Sequence, residues 1–210
     1  MSSTSIDTPT KILQATLSLL EKPNAKLPTM SDIAKASGVS RQAVYLHFPS
    51  RTDVLVAATR YQDQTNDVNA ALAPSRTARS GTERLDAFVT AWGNYIPQIY
   101  GVARAILAVV DTDVEAAQAW NTRMADMREG CAAAVKALAD EGTLPPKTDP
   151  EQATDLLWTL LSVRTWENLT QTCGWDQECY LATIRGLALA ALAQDAGALS
   201  DVLAHTKDPA

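Results

Sequence analysis

Apolar residues in this chain return every three or four positions between helix caps, while strand and hairpin signals do not recur. Thr8-Pro9 supplies a cap and an early proline ahead of Ile12, Ala15, Leu19 and Leu20. This predicts a first amphipathic helix to about Lys22, stopped by Pro23. In Thr29-Met30-Ser31-Asp32 the Thr hydroxyl can accept from the Asp32 amide while the carboxylate reaches back, a capping box that opens a short helix holding Ile33, Ala34 and Ala36. Gly38 ends it with a left-handed residue. Ser40 caps a third helix, with Val39 and Val44 as a hydrophobic staple. Ser50-Arg51-Thr52-Asp53 is a second capping box, for a fourth helix to about Leu72.

Residues 73–81 read as a linker. A fifth helix at about 82–96 carries Leu85, Phe88, Val89, Trp92 and Ile96, and Pro97 kinks or breaks it before a sixth through Ala105 to Val110. Thr112 and Glu115 form a capping box for the longest helix, which lasts to Glu141 and ends at Gly142. Its stripe is Ala117, Trp120, Met124, Met127, Cys131, Ala134 and Leu138. Asp149-Pro150 opens a helix to Cys173, closed by Gly174, and Asp176 caps a last one to about Ala193. The prediction is an all-α fold of about nine helices, without internal repeats.

The segment Met30 to Phe48 holds a short helix, a glycine turn and a second short helix. Ala34 is small enough for a close crossing, and Ile33, Val39 and Val44 are apolar where a helix-turn-helix needs a shared core. On the second helix Val44 and Phe48 face inward, leaving Arg41, Gln42, Tyr45 and Leu46 outside. Arg can read guanine, Gln can read adenine, and a Tyr hydroxyl can meet phosphate.

At these residues the chain resembles the tetracycline-repressor (TetR) family of bacterial transcription regulators. The match is DIAKASGVSRQAVYLHFPSRTDVL, preceded by the amphipathic KILQATLSLLEK, over about the first 60 residues. The resemblance implies that Ser40, Arg41, Gln42, Ala43 and Tyr45 lie in or beside the DNA major groove. Tyr45, His47 and Arg51 would hold the phosphate backbone, as would Thr29 at the start of the preceding helix. Two departures stand out. Arg51 replaces the lysine common in the family, and the link from Pro23 to Pro28 lacks the usual glycine. The expected organisation is a DNA-binding head, 1–55, and a helical ligand-binding and dimerisation domain, 56–210.

Charge sharpens this picture. The net charge is −6, yet residues 1–52 carry six basic side chains against three acidic ones, so a small basic head sits on an acidic remainder. Composition adds the setting: 46% apolar residues suit a folded core, and the longest apolar run, Leu187 to Ala193, is far short of a membrane span. Cys131, Cys173 and Cys179 are odd in number and lack a C-x-x-C, as expected of reduced thiols. A cytoplasmic protein without a membrane partner is expected.

Five tryptophans, Trp92, Trp120, Trp158, Trp166 and Trp175, all follow the head. Together with Tyr95, Tyr100, Met124 and Met127 they suit a concave apolar site for a small organic ligand, although for each residue alone a plain core is the better reading. Candidate ligand-contacting residues are Trp92, Tyr95, Tyr100, Trp120, Met124, Met127, Trp158 and Trp166. His47 and His205 are the only histidines, and neither follows the Glu-x-x-His spacing of di-iron bundles. Asp111, Asp113 and Glu115 sit at a helix start and read as capping. Nucleophile elbows and phosphate-binding glycine loops are missing, so no catalytic residue, metal or cofactor is expected.

The last two helices are apolar over more than one face, which requires cover on two sides. Leu157, Leu161, Leu181, Ile184, Leu187, Ala188 and Ala191 are the candidate interface of a homodimer built as a four-helix bundle. The expected function is a repressor that binds a near-palindromic double-stranded DNA operator as a dimer and is released by a small hydrophobic or aromatic ligand. The alternative is a helical binding protein or enzyme whose head serves assembly.

Overall fold

A computed structural model describes residues 6–22 and 26–193. Caps set most of its helix boundaries. α1 (Thr8–Leu20) is capped by Asp7, which accepts from the Thr10 amide, so the cap lies one residue before the expected Thr8. The expected stop at Pro23 lies outside the described residues, as does His205. α2 (Met30–Ser37) has both arms of the Thr29–Asp32 box and ends at Gly38, whose φ of 70° is left-handed. α3 (Arg41–His47) starts at Ser40, and α4 (Arg51–Thr65) starts at the Ser50–Asp53 box.

α4 stops short of Leu72 because Asp67 adopts φ 50°, a left-handed turn that Asp tolerates. Single turns α5 (Val68–Ala71) and α6 (Ala73–Arg76) follow, so part of the expected linker is helical. α7 (Gly81–Leu107) runs unbroken through Pro97, where two helices were expected. Proline has no N–H to give the Gly93 carbonyl, four residues back. The Gln177 side-chain amide donates to that carbonyl at 3.0 Å, and the helix continues.

α8 (Val114–Glu141) is capped by Asp113, which accepts from the Glu115 and Ala116 amides, and not by Thr112. α9 (Pro150–Leu160) begins at Asp149, and the expected single helix to Cys173 is broken. Leu161 ends α9, Ser162 caps α10 (Val163–Glu167), and a π-helical turn spans Asn168–Thr172. α11 (Gln177–Leu192) begins at Asp176. Among the described residues there are eleven α-helices, nine of them longer than four residues, and no strand. None is long and apolar enough to cross a membrane.

The chain divides into two compact units, and the division differs from the expected break at 55/56. The first joins Met1–Asp67 with Ile99–Ala125; the second joins Val68–Gln98 with Asp126–Ala210. The first unit contains two cores. Ile12, Met30, Ile33, Ala34, Val44 and Val54 knit α1 to α4 into a head. Leu17, Leu20, Leu55 and Ala58 pack with Val102, Ala105 and Ile106 of α7 and Ala116 and Ala119 of α8, which is why 99–125 belongs with the head. In the second unit Leu85, Val89 and Ile96 of α7, Cys131 and Leu138 of α8, Leu157 of α9, Leu161 just after it, and Tyr180 and Ile184 of α11 are buried.

Candidate nucleic-acid interface

The geometry of α3 follows from one inward residue. Val44 is wholly buried in the head core and Phe48 packs against it. Arg41, Gln42, Tyr45, Leu46 and His47 are exposed, and Leu46 at 80% is the most exposed large apolar side chain of the described residues. Ser40 accepts the Ala43 amide at 3.1 Å, which fixes the first turn and leaves the hydroxyl proton to donate outward. Arg41 lies over the Tyr45 ring, 5.5 Å from its centroid, and donates to its hydroxyl at 3.3 Å. This pair holds two polar heads side by side on a helix only seven residues long. Thr29 is engaged differently. Its hydroxyl accepts from the Asp32 amide and donates to the Asp32 carboxylate at 2.7 Å, so its proton is spent within the cap. That hydroxyl bond and a second from the Thr29 backbone amide, at 2.9 Å, hold the Asp32 carboxyl below the usual carboxylate range.

Arg51, expected to hold DNA phosphate, is turned away from this outward set and pairs with two carboxylates. Its Nε donates to Glu115 at 2.9 Å, a terminal nitrogen to Asp113 at 2.5 Å, and its backbone amide to Glu115 at 3.2 Å. The side chain is only 20% exposed. Beside it the Thr52 hydroxyl lies 3.2 Å from the Glu115 carbonyl. Burial works against the charge of Asp113, but the Ala116 amide and the Arg51 guanidinium outweigh it and keep the carboxyl below its usual range. The acidic trio read as capping is thus divided: Asp113 caps and pairs, Glu115 pairs, and Asp111 is exposed. At its other end α4 is tied to α8 by Asp63 and Arg123. Nothing local in the sequence marks these bonds, because the partners lie sixty or more residues away.

Residues 12–58 match the family model "Bacterial regulatory proteins, tetR family". The HTH-type transcriptional regulator EthR of Mycobacterium tuberculosis is 32% identical over 160 residues, which cover 73% of this chain and 71% of EthR. The chain belongs to the TetR family. Solved structures agree in fold. A TetR-family regulator from Rhodococcus sp. superposes with a TM-score of 0.69 at 18% identity, over 87% of this chain and 97% of its own. The regulator FadR of Bacillus subtilis, solved with stearoyl-CoA, superposes with a TM-score of 0.65 at 15% identity, over 86% of this chain and 97% of its own. This TetR-family chain is a DNA-binding transcriptional regulator with a helix-turn-helix head.

The aromatic candidates for a ligand site are divided between the two units. Tyr100, Trp120 and Met124 belong to the first unit, where Trp120 packs on the α4–α8 core and Arg104 lies over the Tyr100 ring. Trp92, Tyr95, Met127, Trp158 and Trp166 belong to the second. There Trp92 meets Tyr95 edge-on, with ring centroids 5.6 Å apart, and its Nε1 donates to the Leu161 carbonyl left free where α9 ends. Trp166 donates to Gln177, the residue that also serves Gly93. Met127, Tyr95 and Trp166 are buried. A groove of about 500 Å³ lies in the first unit, lined by residues such as Leu13, Val56, Arg60 and Tyr61 and by none of the expected ones. The sequence reading missed Gln177 and Tyr180: Gln177 stands between Asp176 and Glu178 at the start of α11 and carries no local signal, and Tyr180 is marked only by its place at the head of an apolar stretch.

The interface expectation also needs correcting. Leu157, Leu161, Ile184 and Ala188, expected to face a second copy, are buried within this single chain. Their apolar faces are wide because α7, α9 and α11 pack on one another. Leu181 is half-buried beside Gly93, and Leu187 (37%) and Ala191 remain exposed, joined by Leu156 (41%) on α9. Of the thiols, Cys131 is buried, which pushes it up to about 12, whereas Cys173 is exposed. No group of His, Cys, Asp or Glu among the described residues could hold a metal.

Proposed function

We propose that this regulator is a repressor that binds a near-palindromic operator as a homodimer and leaves it when a small hydrophobic or aromatic molecule binds the helices after the head. The observation that carries the reading is the outer face of α3, where Arg41, Gln42, Tyr45 and His47 stand exposed on a buried Val44. Arg41 and Gln42 have the donor geometry for base edges, Leu46 can meet a thymine methyl, and Ser40, Tyr45 and His47 suit phosphates. Two such helices would enter successive major grooves about 34 Å apart. Exposed Leu156, Leu187 and Ala191 supply the apolar edge for pairing, and FadR solved with stearoyl-CoA supports a ligand-binding role for the same fold. A ligand that prefers a dimer with its heads wrongly spaced lowers operator affinity by its own difference in affinity for the two states. The protein works in the cytoplasm, without cofactor or catalysis.

The test is a gel shift against the DNA upstream of its own reading frame, with light scattering on the free protein. A specific shift, a dimer at micromolar concentration and a monomeric Leu187→Glu variant are expected. A protein that retards no duplex would instead be a helical binding protein or enzyme whose head serves assembly.

A further inference from the structure

Arg51, Arg123, Arg128, Arg164 and Arg185 each close on a carboxylate, which answers their charge within the protein. Arg41, on the outer face of α3, is held by a neutral ring instead. Its guanidinium lies 5.5 Å from the centroid of Tyr45, four residues on and therefore on the same helix face, and a terminal nitrogen donates to the Tyr45 hydroxyl at 3.3 Å. Such a partner fixes the side chain without cancelling its charge.

Packing of the head does not rely on Tyr45. Val44 fills the head core with Phe48 against it, whereas Tyr45 belongs to neither core of the first unit and is 41% exposed. The hydroxyl can accept and donate at once. It accepts the Arg41 N–H, so its proton stays available to a phosphate oxygen, and donating that proton makes the same oxygen a stronger acceptor for the guanidinium. On the arginine, the N–H spent on the hydroxyl leaves donors on both terminal nitrogens for the O6 and N7 of a guanine. An arginine free in solvent gives up rotamer freedom when it meets a base. One already stacked on Tyr45 has given up much of that freedom before DNA arrives.

We propose that Tyr45 is a positioning residue for base recognition: through one hydroxyl it holds Arg41 as a preset fork for a guanine and ties that fork to a phosphate of the same duplex. The inference rests on the base-reading role given to Arg41 above. To the phosphate contact expected of Tyr45 it adds a share in sequence discrimination, which a backbone contact by itself does not carry.

The test uses the full chain and a duplex that the wild-type protein selects from a random pool. Each guanine is replaced in turn by 7-deazaguanine, which pairs normally but lacks the N7 acceptor, and affinities are read by fluorescence anisotropy. Wild type is expected to lose about five- to ten-fold at a defined guanine and Arg41→Ala to lose nothing there, which identifies the base that Arg41 reads. Tyr45→Phe keeps the ring and removes the hydroxyl, and the loss at that guanine should shrink to about two-fold or less. Because Tyr45 is neutral, the salt slope of binding should stay at the wild-type value. The variant should also melt as wild type does, since the head core is untouched. A Tyr45→Phe protein that keeps the full loss at that guanine, whether or not it binds all duplexes more weakly, would overturn the inference and leave base reading by Arg41 standing. A wild type that tolerates 7-deazaguanine at every position, or an Arg41→Ala protein that still suffers the loss, would show that Arg41 reads no guanine, and the inference would fall together with that role.

Discussion

The outer face of α3 and the region from α9 to α11 treat their polar groups in opposite ways. On α3, Gln42 and the Ser40 proton face outward without a hydrogen-bond partner among the described residues, His47 is exposed, and Arg41 is held by its neighbour Tyr45. Between 150 and 192 polar groups are bonded to distant chain: the Leu161 carbonyl to Trp92, Gln177 to Gly93, Arg185 to Asp86. A surface that leaves its donors unspent is suited to meet a macromolecule, while one that spends them across helices is suited to hold a shape. Unit by unit, the difference assigns recognition to the first and packing to the second.

The largest expected effect tests the packing side. Leu157 is fully buried within this chain, so Leu157→Ala should cost about 2–5 kcal/mol of unfolding free energy, measured by urea denaturation at a protein concentration where assembly is constant. Leu187→Glu, at an exposed position, should leave the stability of the monomer within about 0.5 kcal/mol. If the two change places, the buried stripe has been assigned to the wrong face.

On the recognition side, Arg41→Ala and Gln42→Ala should each weaken the cognate operator by about 1–3 kcal/mol, with little change on unrelated duplex or in melting temperature. His47→Ala should weaken all sequences alike and reduce the salt slope by about one. Gel shifts on cognate and scrambled DNA at several salt concentrations separate these outcomes. Identical behaviour of Arg41→Ala and His47→Ala would erase the distinction between base and backbone contacts on α3.

The same contrast explains what could be read from sequence. Head boundaries were legible because their devices are local: Thr29 with Asp32, Ser40 with Ala43 and Ser50 with Asp53 each act across three residues. The turn at Gly38 was equally plain. Beyond Thr65 the deciding partners are remote. Pro97 reads as a helix breaker until Gln177 replaces its missing bond, and Leu157 reads as an interface residue until its own chain covers it. The resemblance placed Arg51 on phosphate for a similar reason, since a cation beside a recognition helix carries no mark of carboxylates 62 and 64 residues further on.

Arg51 therefore gives a sharper test of the boundary between the two behaviours. A double-mutant cycle of Arg51→Ala with Glu115→Gln should return a coupling of about 0.5–2 kcal/mol in stability. The salt slope of operator binding should stay at the wild-type value in Arg51→Ala, in contrast to His47→Ala. A flattened slope with zero coupling would return Arg51 to the phosphate-holding set.

The smallest effect concerns the acid limb of stability. The carboxyl of Asp113 is held below its ordinary value when folded, so unfolding raises its affinity for protons. Its charge then contributes stability that is fully present above the ordinary carboxylate value of 3.8 and is lost as pH falls through the lower folded value. Asp113→Asn keeps an oxygen that can accept the Glu115 and Ala116 amides, so the cap of α8 survives while the charge facing Arg51 is removed. Melting temperatures of wild type and variant should differ by a constant amount from pH 8 to about pH 5, since in that window the carboxylate is ionised in both folded and unfolded chains. Below it the gap should close as wild type alone loses the contribution. A gap that persists undiminished in strong acid would mean that the shape of the side chain, and not its charge against Arg51, holds this corner of the first unit together.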